Sequence, residues 1–420
     1  MVSLDKMIES YRPKIDKQCI RICLIVSIKV VVLDLHQFDD NRISKHIATV
    51  RENYELFRIN FNFYPDRPSP KITKDAVTFN LSPSKNHYLN GALFDLRTML
   101  GWGISRLERM LRSEFVKKGD QIILHVHDPY LLGLAGKLSK RFGDAPIIYD
   151  RHEYFEAWKN RLGFSVAGMY EKWYGKHVTE VIFVSRNYHD LPGVFAGKPV
   201  TIIPNYPPGQ FSNKEAVERK VRDLGPDSTI DSVYFGSLNL SFDRDIELQF
   251  RVLRSLMESD PRVRFTVAGR MYDPQVQSLV DSMISEFGER MRYLGEIPYQ
   301  DVIRLTQSSH LGFLFMRSDS PVWSESRPSS PNKVFENLLS GTIPVVKANL
   351  DDRAVIEKCS LIFGKDSTFE EIRDQVLQLI GDRERMKRMM MECYETSLEF
   401  TWEWVAGRYI ECYERVLKEE

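Results

Sequence analysis

The segment Ser329-Ser-Pro-Asn-Lys-Val-Phe-Glu-Asn-Leu-Leu-Ser-Gly-Thr-Ile-Pro-Val-Val346 predicts a short helix that leads directly into a buried strand. Ser330 is a good N-cap residue, and Pro331 suits the first helical position. Gly341 is placed to end the helix, because glycine readily adopts the left-handed conformation found there. The buried side is defined by four apolar residues at helical spacing, Val334, Phe335, Leu338 and Leu339. A helix followed at once by a buried strand is typical of parallel α/β sheets.

Lys333 stands in the first turn of this predicted helix, where a cation opposes the helix dipole by ~0.3–1 kcal/mol. A bound anion reverses that effect, because the free N–H groups of a helix N-terminus attract anions. We therefore interpret Ser330, Asn332 and Lys333 as candidates for binding a diphosphate, with Glu336 one turn further on and facing the same cleft. The alternative is an ordinary capped helix whose Lys333 and Glu336 are solvated.

Short β-branched runs alternate with helical stretches along the whole chain, which predicts an α/β fold with two doubly wound parallel sheets. The predicted strands are Ile20–Leu33, Glu55–Phe63, Gln121–Val126, Pro146–Tyr149, Glu180–Val184, Val200–Ile203, Ser232–Phe235, Arg264–Ala268, Met291–Tyr293, Leu311–Phe315, Ile343–Val346 and Leu361–Phe363. A proline-rich break at 204–209 and a polar stretch to residue 231 separate two series. We predict a first domain over 1–207, a linker over 208–231 and a second domain over 232–400.

The composition excludes several classes of protein. Lys plus Arg and Asp plus Glu both number 58, so the formal net charge is zero, which excludes a generally basic nucleic-acid-binding protein. The 5 cysteines include no CxxC pair and are expected to be reduced thiols, which favours a cytoplasmic protein. The most apolar run, Ile22–Leu35, is interrupted by Lys29 and Asp34, is too short to span a bilayer and is interpreted as a buried strand.

Several further segments carry a resemblance that covers nearly the whole chain. They are His125–Pro129, Tyr149–Glu153, Val181–Ser185, Ile203–Asn205, Tyr234–Gly236, Phe265–Gly269, Tyr293–Gly295 and Thr401–Glu403. Together with the segment quoted first, and in the same order, they resemble retaining GT-B glycosyltransferases, especially glycosyltransferase family 4. The resemblance implies two Rossmann-like domains that face each other across a cleft, and a C-terminal helix over 401–420 that crosses back onto the first domain.

The resemblance also implies donor-binding residues in the second domain. Glu336 resembles the carboxylate that binds the ribose, Arg244 approximates a phosphate-binding lysine, and Arg270 adds a further positive charge near Ser330, Asn332 and Lys333. Ser237 stands where relatives have an arginine. Asp243-Arg-Asp245 spells a possible metal-binding DxD, but the surrounding motifs favour GT-B, so we predict no metal cofactor and interpret Asp245 as the start of the next helix.

On the acceptor side, the resemblance implies that His127 lies near the reacting sugar and the acceptor hydroxyl as a catalytic residue. His36, Asp40 and Glu153 follow predicted strands and are expected to line the acceptor side as well. Three of these four residues have a structural alternative: a buried histidine for His127, and a helix N-cap for Asp40 and for Glu153.

One departure from the family pattern concerns its paired glutamates. Glu336 fits the second of the pair, but the first falls at Pro328, and only nearby Glu325 offers a carboxylate in its place. We predict a retaining transferase that moves a hexose-type sugar from a nucleotide diphosphate sugar to an acceptor hydroxyl, on a glycan or lipid-linked glycan. The alternatives are a non-catalytic GT-B subunit that binds a nucleotide or a partner, and a sugar-nucleotide epimerase that needs no acceptor.

The segment Leu100–Lys118 reads as an amphipathic helix with a basic side that contains Arg106, Arg109, Arg112, Lys117 and Lys118. Such helices can lie on anionic membranes, so peripheral contact at the inner face of the membrane is one interpretation, especially if the acceptor is a lipid. An ordinary surface helix is the alternative that we favour.

Overall fold

A computed structural model describes residues 27–36, 40–62, 74–80, 94, 103–153, 155, 162–185, 192–240, 243–320, 323 and 328–418. These residues form two parallel sheets covered by helices, which confirms the predicted α/β class with two Rossmann-like domains. Three cysteines of the described residues are buried free thiols, Cys359, Cys393 and Cys412.

The first sheet has seven described strands in the order β3-β2-β1-β4-β5-β6-β7. They are β1 Ile28–Asp34, β2 Glu55–Asn62, β3 Ala76–Asn80, β4 Gln121–Val126, β5 Ile147–Arg151, β6 Glu180–Phe183 and β7 Val200–Ile202. The helices of this domain are α1 Asn41–Arg51, α2 Ile104–Glu114, α3 Leu132–Arg141 and α4 Leu162–Tyr174. Strand order reverses between β1 and β4, so the residues that follow these two strands lie at the switch point where such sheets bind ligands.

The second sheet repeats this arrangement with six described strands in the order β10-β9-β8-β11-β12-β13. They are β8 Ile230–Phe235, β9 Val263–Ala268, β10 Met291–Tyr293, β11 Leu311–Phe315, β12 Ile343–Lys347 and β13 Leu361–Phe363. The helices are α5 Lys214–Asp223, α6 Ile246–Ser259, α7 Pro274–Phe287, α8 Tyr299–Ser308, α9 Asn332–Leu339, α10 Arg353–Ile356, α11 Phe369–Gly381 and α12 Arg383–Ser397. Here the reversal lies between β8 and β11.

The segment expected to link the domains, 208–231, carries helix α5 and the first residues of β8. Asn213 caps α5 by accepting a hydrogen bond from the backbone N–H of Ala216. The half-buried Lys220 donates to the carbonyls of Ser309 (2.6 Å) and Ser340 (2.9 Å), at the ends of α8 and α9. A helix rich in charged residues thus packs on the second domain, because its lysine satisfies carbonyls that those helices leave free.

The last helix, α13 Trp402–Lys418, packs against α1 and β7 of the first domain. The indole N–H of Trp402 donates to Thr49 Oγ1 (2.9 Å), and the Lys45 ammonium lies 4.4 Å from the centre of the indole ring. Further along, the Arg415 guanidinium pairs with the buried Glu180 carboxylate at 2.6 Å. The described part of the segment 401–420 therefore lies on the first domain.

The carboxyl ends of the two sheets face each other. Ser185, which follows β6, hydrogen-bonds to the Asp351 carboxylate in the loop after β12. Ser185 also donates to the carbonyl of Pro328 at 3.4 Å, in the loop before α9. The two sheets thus enclose a cleft at the edges where ligands bind in this kind of fold.

Helix α2 buries its apolar side, formed by Ile104, Leu107 and Leu111, against the first domain. The guanidinium of Arg112 donates to Glu108 (3.0 Å) and to the carbonyl of Arg141 (2.8 Å). These contacts support the interpretation of α2 as an ordinary surface helix, because protein already covers its apolar side. Among the described residues, no helix is long and apolar enough to cross a membrane.

Candidate functional site

Helix α9 begins at Asn332, and its N-terminus carries no side-chain cap. Pro331 occupies the N-cap position with extended backbone angles, so the predicted capping by Ser330 is wrong. Proline supplies no side-chain acceptor, and it displaces the serine to one residue before the cap. The buried Ser330 hydroxyl has no hydrogen-bond partner among the described residues. The first turn therefore presents free backbone N–H groups beside an unsatisfied hydroxyl.

Two glycines leave the backbone bare next to this helix. Gly269 follows β9 with φ 143°, and a Cβ there would lie 1.9 Å from the carbonyl oxygen of Gly236, which follows β8. A Cβ on Gly236 would in turn meet the Lys333 side chain at 3.0 Å. The lysine thus lies against the end of β8, and burial lowers its pKa against the opposing effect of Glu336. Such a close approach of bare backbone, a helix N-terminus and a cation suits a diphosphate.

The remaining cations of the predicted donor site differ in their surroundings. Arg244 is ion-paired with the adjacent Asp243 at 2.5 Å, whereas Arg270 is exposed and lies over the Tyr272 ring. The carboxylate of Asp245 caps α6 by accepting from the backbone N–H of Leu248 (3.3 Å), as predicted. Both carboxylates of the DxD sequence are therefore engaged by protein groups.

Glu336 is buried in α9, with 9% of its surface exposed. Burial, and after it the Glu336 carboxylate, raises the pKa of Tyr299 far above its usual value. Pro328, at the position of the first family glutamate, is buried as well. Glu325 lies outside the described residues, so the first carboxylate of the family pattern has no described counterpart here.

Five of the chain's 9 histidines gather at the carboxyl ends of β1, β4 and β5. We call these residues the histidine cluster: His36, His46, His125, His127 and His152. At its base the buried Asp150 carboxylate pairs with Arg42 at 2.7 Å and accepts a hydrogen bond from the Tyr409 hydroxyl at 2.8 Å. Burial opposes ionisation of Asp150, but the Arg42 guanidinium holds the pKa of that carboxyl well below its usual range.

His127 lies inside this cluster, with 2% of its surface exposed. Its Nδ1 is 3.0 Å from Nε2 of His152, and its Nε2 is 3.0 Å from Nδ1 of His46. Both ring nitrogens of His127 are therefore occupied by neighbouring imidazoles. His152 keeps part of its side chain exposed and lies on the outer side of His127.

The other predicted acceptor-side residues have distinct surroundings. His36 lies 3.2 Å from the Asp128 carboxylate; burial disfavours its charged form, but Asp128 outweighs burial and raises the pKa of His36 to about 9. Asp40 caps α1 by accepting from the backbone N–H of Ile43 (3.1 Å), which is the structural alternative. Glu153 is an exposed residue, but the surrounding protein desolvates its carboxyl group. This desolvation, with repulsion from Asp243 across the cleft, raises the pKa of Glu153 to about 7.

Sequence reasoning missed His46, Asp150 and two tyrosines of α13, Tyr409 and Tyr413. The sequence spacing of His46 and of the two tyrosines indicated which residues share a helix face with them. His46 follows Arg42 by four residues on α1, and Tyr413 follows Tyr409 by four on α13, so each pair shares one face of its helix. The contact between these helices had no local signal.

Between about pH 7 and about pH 5 we expect the free energy of unfolding to fall. Burial lowers the pKa of His46, His125 and His127 below 6.5, so their contribution is present above that pH and is lost as the pH falls. Each contributes about 1–2 kcal/mol over this interval. The raised pKa values of Glu153 and His36 act in the opposite direction and offset part of this loss. Urea unfolding at both pH values measures the change, and equal or higher stability at the lower pH contradicts buried neutral imidazoles.

The sequence matches no protein-family model and no curated protein. Solved structures do match over nearly the whole chain. Sucrose-phosphate synthase from Thermosynechococcus elongatus has 12% identity and a TM-score of 0.65, covering 93% of this chain and 100% of that chain. The structure of α,α-trehalose 6-phosphate synthase from Burkholderia multivorans has 11% identity and a TM-score of 0.64, and the match covers 94% of this chain and 98% of that chain. Anabaena HepE in complex with UDP and glucose has 14% identity and a TM-score of 0.60, and the match covers 92% of this chain and 99% of that chain.

Similarity at such low identity is similarity of fold. The match to these neighbours includes both sheets of this chain, since it covers more than nine tenths of the chain. The chain therefore has the GT-B fold of glycosyltransferases, with two Rossmann-like domains.

Proposed function

We propose that this protein is a retaining glycosyltransferase, related to family 4, that moves a hexose-type sugar from a nucleotide diphosphate sugar to an acceptor hydroxyl. The observation that carries the proposal is the N-terminus of α9, where free N–H groups, the unpartnered Ser330 hydroxyl and Lys333 lie beside the bare backbone of Gly236. These groups are complementary to a diphosphate. The neighbour HepE, whose structure holds UDP and glucose, supports a donor of this class.

The protein's share of the chemistry is positioning and charge stabilisation. Lys333, Arg244 and Arg270 would stabilise the charge that develops on the leaving diphosphate, together with the helix N-terminus and Asn332. In this mechanism no metal ion is required, because the cations supply the positive charge. The acceptor hydroxyl attacks from the face that the diphosphate leaves, and the diphosphate takes its proton, so the anomeric configuration is retained.

The acceptor would enter from the first domain. His36, His152 and Glu153 lie on the cleft side of the histidine cluster, and His127 lies directly behind His152. A glycan or lipid-linked glycan offers the hydroxyl groups that such side chains hydrogen-bond. Asp40 would act through α1, whose N-terminus it caps.

The test is a panel of nucleotide diphosphate sugars, each incubated with cell glycans or lipid extract, in which release of nucleoside diphosphate and the product's anomeric configuration are measured. Acceptor-dependent release with retained configuration supports the proposal. Inverted configuration contradicts the retaining mechanism. Sugar isomerisation without an acceptor identifies an epimerase instead.

A second candidate, a non-catalytic GT-B subunit that binds a nucleotide or a partner, is favoured by one observation. Pro328 replaces the first glutamate of the family pattern, and Ser185 donates to its carbonyl. Glu325, which the sequence offers in its place, lies outside the described residues. Nucleotide binding without release of diphosphate, whatever the donor and acceptor, would identify such a subunit.

Glu336→Ala is expected to weaken binding of the nucleotide diphosphate sugar by about 10- to 100-fold, because two ribose hydroxyls would lose a charged acceptor. Isothermal calorimetry measures the change. Glu258→Ala is the control, since Glu258 is an exposed glutamate of the same domain in the last turn of α6, which leads to the start of β9 and not to its carboxyl end. Unchanged donor affinity in the Glu336 variant would exclude a ribose contact.

A lipid-linked acceptor would bring the protein to the inner face of the membrane. The basic side of α2 carries exposed Arg106, Arg109 and Arg112 and would meet anionic lipid, while its apolar side stays buried. Flotation with vesicles that contain about one third anionic lipid tests this contact. Binding that salt abolishes supports it, and absence of binding contradicts it.

A further inference from the structure

A continuous chain of hydrogen bonds joins the crossing helix α13 to the cleft. Nε2 of His152 is 3.0 Å from Nδ1 of His127, and Nε2 of His127 is 3.0 Å from Nδ1 of His46. From there Nε2 of His46 is 2.8 Å from the Tyr413 hydroxyl, which lies 2.9 Å from Nδ1 of His125. We call this chain the imidazole relay. It uses both nitrogens of His46 and of His127, which are the nitrogens that a metal ion would need.

The relay can run in only two directions. A neutral imidazole has one N–H and one lone pair, so a ring bonded at both nitrogens donates at one and accepts at the other. Burial lowers the pKa of His46 and His127, which keeps both rings neutral. If His127 donates through Nε2, then His46 must do the same; if it donates through Nδ1, both directions reverse. The tautomers of the whole chain are therefore coupled.

The Asp150 carboxylate stabilises one of the two hydrogen-bond directions of the relay more than the other. Its carboxylate lies 3.8 Å from Nε2 of His125, 3.7 Å from Nε2 of His152 and 3.6 Å from Nδ1 of His127. When every ring carries its proton on Nε2, two N–H groups and one lone pair face the carboxylate. In the reverse direction one N–H and two lone pairs face it. Electrostatic attraction thus favours the Nε2–H tautomer throughout the relay.

We propose that Tyr413 and His46 are positioning residues that hold His127 and His152 in the Nε2–H tautomer, so that His152 presents the lone pair of its Nδ1 to the cleft and accepts a hydrogen bond from a sugar hydroxyl. The identity of that hydroxyl donor rests on the proposed transferase function. The arrangement of the tautomers rests only on the relay.

The variant Tyr413→Phe tests the relay, because it removes one hydroxyl and keeps the ring. Nε2–H of His46 then loses its acceptor in a buried site, whereas Nδ1–H of the same ring would still find His127. We expect His46 and His127 to shift to the Nδ1–H tautomer. Nε2 of His152 then accepts the hydrogen bond from His127, and Nδ1 of His152 presents an N–H in place of a lone pair. Long-range proton–nitrogen spectra of protein with ¹⁵N-labelled histidine distinguish these tautomers directly.

The matched control is Tyr54→Phe. The Tyr54 ring contacts the Tyr413 ring, with 5.6 Å between their centres, but its hydroxyl is not part of the relay. For Tyr413→Phe we expect kcat to fall about tenfold, with KM for the donor within about twofold, because the cleft group has lost its correct hydrogen-bonding form. Thermal unfolding of both variants separates this effect from a loss of folded protein.

Single Nε2–H signals for His46, His127 and His152 in the unaltered protein, with the expected shift in Tyr413→Phe alone, support the proposal. Nδ1–H signals in the unaltered protein overturn it. Tautomers and kcat in Tyr413→Phe that equal those of Tyr54→Phe overturn it too. If no donor supports transfer, the transferase proposal fails, whereas the spectra still decide whether the relay exists.

Discussion

Replacing Asp150 with alanine is expected to lower the free energy of unfolding by about 3–5 kcal/mol. The carboxylate is fully buried and receives the Arg42 guanidinium at 2.7 Å and the Tyr409 hydroxyl at 2.8 Å. Alanine leaves the Arg42 charge buried without its counter-charge. The carbonyl of Ile203, which accepts from Arg42 at 3.0 Å, cannot replace it. Urea unfolding at about pH 7 measures the loss.

Asp319→Ala is the matched control, since it removes a carboxylate that pairs with Arg317 on the exposed surface. Its effect should stay within about 1 kcal/mol, because solvent screens such pairs. A second arm combines Asp150→Ala with Arg42→Met, which removes both charges and should recover part of the stability. Equal stability of the two alanine variants would mean that the buried ion pair does not stabilise the first domain.

Lys333→Ala is expected to weaken binding of a nucleoside diphosphate by about 10- to 100-fold while leaving the affinity for the nucleoside unchanged. The lysine side chain lies against Gly236, within the first turn of α9, where the backbone N–H groups are uncapped. Losing it removes a positive charge from the diphosphate site and nothing from a site for base or ribose. Calorimetry with each ligand separates the two.

Lys365→Ala provides the comparison, because Lys365 is an exposed lysine of the same domain that follows β13. It should leave both affinities unchanged. A loss of the same size for nucleoside and for nucleoside diphosphate in Lys333→Ala would contradict a phosphate role. It would indicate instead that the substitution disturbs α9 as a whole.

The sequence alone predicted most of the fold, because a strand buried on both faces leaves a local signal. Gln121–Val126, Met291–Tyr293, Leu311–Phe315 and Leu361–Phe363 have the predicted bounds. Strand β3 was missed, since Ala76–Asn80 is a short edge strand with polar residues in a polar neighbourhood. Helix α5 was missed for a similar reason: its charged sequence resembles a linker, and its packing depends on Lys220 meeting distant carbonyls.

The candidate site was predictable only where it follows a strand or begins a helix. His127 and Glu153 come directly after β4 and within two residues of the end of β5, as expected. The burial of His127 could not be predicted, because it depends on His46 from α1 and His152 from β5 meeting the same ring. Nor could the role of Tyr413, which lies 367 residues from its hydrogen-bond partner His46. Contacts between residues so far apart in the sequence produce no periodic pattern in it.

The crossing helix also sets an order of events during synthesis. Tyr409, Tyr413 and Arg415 satisfy Asp150, His125 and Glu180, buried polar groups of the first domain, whose last described strand ends at Ile202. Those groups lack their partners from α13 until roughly two hundred further residues have been synthesised. Because an unsatisfied buried polar group is strongly destabilising, the first domain to be translated completes its interior last. Its early form must keep that face hydrated or covered until the end of the chain arrives.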